Sequence, residues 1–154
     1  MLDKSRRHYL ISGLFAAAGI VFSKMSFAIA SRKMFEANSV PEALKNLPEK
    51  DIPEANNRLL IGVPEITAEP DRISVHLRSE LPGTDLMILM ASSAVPPVIA
   101  QFTIPVGTEA DLQTQIRLKG TTTLQLIVRA GGKLYTAQKE VKVAIPLDHK
   151  LLSE

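Results

Sequence analysis

Arg72-Ile73-Ser74-Val75-His76-Leu77-Arg78 is the stretch on which the fold class turns. Apolar and polar side chains alternate without a break, placing Ile73, Val75 and Leu77 on one side and Ser74 and His76 on the other. Successive side chains of an extended chain point to opposite faces, so this pattern predicts a half-buried β-strand. The same period of two recurs toward the C-terminus. Leu112, Thr114, Ile116 and Leu118 alternate with Gln113, Gln115, Arg117 and Lys119, and Leu124, Leu126 and Val128 with Gln125, Ile127 and Arg129. Val98, Ala100, Phe102 and Ile104 are expected on one face of a further strand. Asp85–Ala91 is a continuous apolar run of the kind a central strand shows. Leu59, Leu60, Ile61 and Val63 suggest a first strand ended by Pro64, and Leu134–Gln138 leads into Val141, Val143 and Ile145. Pro82-Gly83, Pro96-Pro97 and Gly131-Gly132 mark turns, the last being a two-residue hairpin signal. About seven short strands between turn signals read as an all-β, antiparallel β-sandwich. One face of such a sheet packs on a second sheet, and the other is expected to meet solvent or a partner.

Upstream the period changes. Ser39-Val40-Pro41-Glu42 fits a helix N-terminus, with Ser39 as cap, Glu42 three residues on and proline in the first turn. Ala43, Leu44 and Leu47 share a face, Pro48 stops the helix, and Glu49–Asn57 reads as a loop. Further back stands Ser5-Arg6-Arg7-His8-Tyr9-Leu10, then an apolar stretch from Leu14 to Phe22, then Ala28-Ile29-Ala30. Paired arginines, a short apolar region and a small-x-small site in this order predict a twin-arginine signal peptide cleaved after Ala30. The apolar stretch is shorter than the roughly 20 residues a bilayer span needs, so no stable membrane span is expected after cleavage. The chain thus divides into a signal peptide (1–30), an N-terminal helix and loop (31–57), a β-sandwich (58–145) and a C-terminal tail (146–154). A periplasmic location follows from the signal as an expectation.

The net charge of +2 belongs to the leader, since residues 31–154 carry 14 basic against 15 acidic side chains. Such a balance gives no electrostatic basis for binding nucleic acid or an anionic membrane. There is no cysteine among the 154 residues, which excludes disulfides, thiolate catalysis, cysteine-type zinc sites and any persulfide on this chain. The histidines at 8, 76 and 149 lack neighbours at ligand spacing, and His76 reads as a solvated residue on a polar strand face. Ser92-Ser93 has no nucleophile-elbow context. Glu65, Glu69 and Asp71 sit in a proline-bounded stretch that reads as a solvated loop, where nothing would split their pKa values for acid–base work. No catalytic, cofactor-binding or metal-ligating residues are therefore assigned. The pattern fits a binding or carrier-type role better than an enzyme.

Taken in order, several segments resemble the SoxY family, the sulfur-carrier subunit of periplasmic thiosulfate oxidation. They are Phe35-Glu36-Ala37 with Glu42-Ala43-Leu44, Val63-Pro64-Glu65-Ile66-Thr67-Ala68-Glu69, Pro97–Phe102, Thr114-Gln115-Ile116-Arg117-Leu118-Lys119, Gly132-Lys133-Leu134-Tyr135 and Lys139-Glu140-Val141-Lys142-Val143. The resemblance implies an immunoglobulin-like sandwich that pairs with a second sandwich, SoxZ. It also implies a Gly-Gly-Cys-Gly-Gly arm after the last strand, whose cysteine carries sulfur intermediates. Here Val143-Ala144-Ile145 is followed by Pro146-Leu147-Asp148-His149-Lys150, with neither glycine nor cysteine, so the carrier residue maps onto no position. The expectation is a non-catalytic SoxY-like subunit with a SoxZ-like partner. The alternative is a generic periplasmic immunoglobulin-like module serving another redox enzyme, such as a quinoprotein dehydrogenase.

Overall fold

The computed structural model describes residues 32–144. The signal peptide, the cleavage site and the tail lie outside the described residues. A helical turn at residues 32–35 precedes helix α1 (Val40–Lys45). Ser39 caps α1 as expected, its side chain accepting from the Glu42 N–H, while the Glu42 carboxylate accepts from the N–H of Asn38 at 2.9 Å. The helix ends at Asn46, two residues before Pro48.

Nine strands follow among the described residues: β1 (Glu54–Ala55), β2 (Leu59–Gly62), β3 (Ile66–Thr67), β4 (Ile73–Ser79), β5 (Thr84–Ala91), β6 (Val98–Thr103), β7 (Asp111–Ile116), β8 (Thr122–Ala130) and β9 (Lys133–Val143). One sheet runs β1-β9-β8-β5-β6, with β3 also pairing with β9; the second is β2-β4-β7. The long pairings are antiparallel, while β1 and β3 join β9 in parallel. This is an immunoglobulin-like sandwich whose first strand changes sheets: β2 pairs with β4, and β3, a few residues on, pairs with β9.

The core between the sheets is built by the alternating residues. Ile73, Val75 and Leu77 from β4 meet Met87 and Leu89 from β5 and Leu124, Leu126 and Val128 from β8. A second apolar cluster lies on the other face of the large sheet. There Met34, Ala37, Ala43 and Leu47 cover Leu86, Ile88, Met90, Ile127 and Leu134. The outer face of the large sheet is therefore closed by the chain's own N-terminal segment, where the sequence had suggested solvent or a partner. Burial on both faces explains why β5 reads as an unbroken apolar run. Residues 131 and 132 form the β8–β9 turn with φ of 58° and 77°, the left-handed region that glycine enters without a Cβ penalty.

Three further details differ from the sequence reading. The stretch Glu49–Asn57 contains β1, and the stretch holding Glu65 and Glu69 contains β3. Both are two-residue strands, and backbone pairing that short leaves no periodicity. Leu89 pairs with Ala100 but Met90 pairs with Val98, so a bulge intervenes. The extra residue turns Val98 into the second cluster, away from the face of Phe102 and Ile104. The final stretch is one strand to Val143.

Candidate functional site

The end of β9 is the natural place to look, because a carrier arm after the last strand would leave the sandwich there. The strand is pinned on both sides up to its last residues. Lys142 N–H donates to the Glu65 carbonyl at 2.8 Å, Ala144 N–H to the Thr67 carbonyl at 2.9 Å, and Val143 N–H to Thr121 Oγ1 at 3.1 Å. The small strand β3 thus exists to hold this exit, and Pro64 and Pro70 bound the segment that forms it. Around it lie exposed ion pairs, Lys139–Glu65 at 3.6 Å and Lys142–Glu140 at 3.9 Å. These are screened pairs worth little. The exit is a held strand end, and the residues beyond it contain no thiol to carry sulfur.

His76 is placed differently from the sequence expectation of a solvated histidine without an acidic neighbour. Antiparallel pairing of β4 with β7 brings Asp111 beside it, and His76 Nε2 lies 2.6 Å from Asp111 Oδ1. Thirty-five positions separate the two in sequence, so only strand register brings them together. Across the strand from His76 stands Gly62, where a Cβ would come within 3.1 Å of the His76 Cβ. Arg78 reaches Asp111 at 4.0 Å. The result is a polar patch on the outer face of the small sheet. Among the described residues no group of three or more His, Cys, Asp and Glu could hold a metal ion.

Ser92 is structural: its Oγ accepts from the Thr123 N–H at 3.3 Å, and Thr122 Oγ1 accepts from the Ser93 N–H at 3.1 Å. Asp71 pairs with Arg117 at 3.0 Å, and Glu65 reaches toward Lys139, so the acidic residues of that stretch do not converge. Sequence reasoning passed over Arg129. It projects from β8 and joins Asp85 at 2.8 Å and Glu49 at 2.6 Å. The hydrogen bond to Asp85, with the help of Glu49, holds its guanidinium further toward the charged form, against the opposing effect of burial. A single charged residue inside an otherwise uncharged strand was its only signal.

The geometry defines an immunoglobulin-like β-sandwich with a held C-terminal strand. The family model described as sulfur oxidation protein SoxY matches residues 44–146, and the chain belongs to that family. The sulfur carrier protein SoxY from Chlorobium limicola f thiosulfatophilum is 28% identical in sequence, with a TM-score of 0.57 over 62% of this chain and 87% of that one. Two superoxide reductases share the fold alone. One, from Ignicoccus hospitalis (a T24K neelaredoxin), is 18% identical with a TM-score of 0.51, covering 68% of this chain and 92% of its own. The other, described as putative and from Thermotoga maritima, is 12% identical with a TM-score of 0.53, covering 64% of this chain and 98% of its own. No curated protein matches the chain.

Proposed function

We propose that this chain is a non-catalytic periplasmic subunit of sulfur oxidation that pairs with a SoxZ-like sandwich and relies on another chain for the sulfur-bearing thiol. One observation carries the reading. The SoxY sandwich is kept through the pinned end of β9, yet the 154 residues contain no cysteine. Persulfides and thiosulfonates need a thiol sulfur, and no other side chain substitutes for it. The twin-arginine pattern at Arg6-Arg7 supports export, and that route suits a folded chain exported with a partner.

The test has two arms. The tagged chain is purified from the cells that make it, and SoxZ-like and cysteine-bearing SoxY chains are sought by mass spectrometry. In parallel, growth on thiosulfate is compared with and without the gene. A stoichiometric SoxZ-like partner and impaired growth are expected. Recovery alone, with growth unaffected, would sink the sulfur reading.

A further inference from the structure

The folded chain begins almost at the bond where the leader is expected to be cut. Ala30 ends the small-x-small site, and only Ser31 stands in sequence between it and the helical turn at residues 32–35. That turn is held from within and from outside. Glu36 N–H donates to the Arg32 carbonyl at 3.3 Å, and Asn46 Nδ2, at the C-terminal end of α1, donates to the Lys33 carbonyl at 3.1 Å. Met34 and Ala37 are each 1% exposed, packed in the second apolar cluster on the large sheet. The far end of the segment is tied as well, through Glu49 to Arg129 at 2.6 Å. Residues 32–49 therefore form a strap over the outer face of the large sheet, fixed at both ends. From Ala30 to Met34 is four residues, at most about 14 Å of chain at roughly 3.4 Å per residue.

We infer that this strap controls leader removal: the Ala30–Ser31 bond is cut only when residues 32–37 lift off the large sheet. The inference rests on the export leader in the reading above and adds when that leader can be lost. A protease cuts a segment that is exposed and locally unfolded. Here the positions just after the bond have a carbonyl already taken by Asn46 and a side chain buried in the second cluster. The twin-arginine route delivers a folded chain, so the strap is in place before the peptidase meets it. Lifting the strap is separable from unfolding the sandwich, because its apolar contacts lie in the second cluster and not between the two sheets. The chemistry is hydrolysis: water adds across Ala30–Ser31, leaving a carboxylate on Ala30 and an amine on Ser31. The peptidase supplies the catalytic groups, and the strap decides how often the bond is within reach. When opening and closing are fast, the rate of cutting follows the open fraction.

The test uses the full-length precursor and the leader peptidase of the same cell, both purified in detergent micelles, with cleavage followed by intact mass. Ala43→Asp and Leu47→Ala loosen the strap from buried positions well downstream of the bond. Val75→Ala, in the inter-sheet core, weakens the sandwich elsewhere as a control. Circular dichroism and the thermal midpoint check that the variants fold, and Leu47→Ala decides the matter if Ala43→Asp does not. The expected result is cleavage at least about tenfold faster than wild type for Ala43→Asp, a smaller gain for Leu47→Ala and the wild-type rate for Val75→Ala. Hydrogen exchange at residues 32–37 should speed up in the same order. If the strap variants are cut no faster than wild type, this inference falls while the leader reading stands. If Val75→Ala gains as much as they do, access follows global unfolding and the strap is not the control. If none of the four precursors is cut, the leader reading fails and takes the inference with it.

Discussion

Arg129 joins three segments through one side chain: β8, which carries it, Asp85 at the start of β5, and Glu49 in the N-terminal segment. Glu49 Oε2 is buried without a hydrogen-bond partner, so this carboxylate depends on Arg129 for its compensation. Arg129→Met should cost about 1–3 kcal/mol, because it leaves Glu49 desolvated and unpaired. Adding Glu49→Met should recover most of that loss, since replacing a partly buried pair by apolar groups is often neutral. Urea midpoints of the two single variants and the double variant form the cycle that checks this; a double variant as unstable as the sum of the singles would refute it. The raised pKa of Arg129 means its contribution is fully present below the unfolded value and is lost only as pH rises through the folded one. No pH dependence from this group is therefore expected between neutrality and mild alkali.

Also at single positions, Gly131 and Gly132 meet no other atom within 4 Å of an added Cβ. A substitution there is opposed by backbone conformation alone. Gly132→Val should lower stability by about 1–2 kcal/mol, and Gly131→Asn by much less, because asparagine tolerates the left-handed region. Thermal midpoints distinguish the two; equal losses would point to a cause other than φ.

At the level of elements, the N-terminal segment is part of the large sheet's packing. Ala43 on α1 is fully buried against the second cluster. Ala43→Asp puts a carboxylate into that apolar contact, and it should lift the segment off the sheet before the sandwich itself unfolds. Hydrogen exchange should show residues 32–47 and the amides under them losing protection while β4 and β7 keep theirs. Uniform loss would show a single cooperative unit instead. By contrast Leu126→Ala, at the centre of the inter-sheet core, should cost about 2–5 kcal/mol and destabilise both sheets together.

For the whole molecule, family membership and composition pull in different directions. The chain belongs to the SoxY family, and its sequence holds no thiol. Incubation with tetrathionate or sulfite-treated tetrathionate should therefore add no mass to the intact protein. Replacing residues 146–150 by Gly-Gly-Cys-Gly-Gly should create a single modifiable site, because β9 is held up to Ala144 and presents whatever follows it. Modification of the unaltered chain would contradict the reading of a subunit without carrier chemistry.

The sequence alone determined the inter-sheet core. The alternation at Ile73, Val75 and Leu77, and at Leu124, Leu126 and Val128, is a local pattern with one physical solution, a strand buried on one side. The Gly131-Gly132 turn and the Ser39 cap were legible for the same reason, since each rests on the conformational preference of residues next to one another. Which strands meet was not. β1 and β3 are too short to carry a period, and they form because β9 offers its edge. The bulge that turns Val98 away from Phe102 is decided by pairing with β5. The contacts of His76 with Asp111 and of Arg129 with Glu49 join residues far apart in the chain. The sheet face expected to be open is closed by the chain's own N-terminal segment. Local sequence fixes which side of a strand is apolar, but only the assembled sheets decide what that side has left to meet.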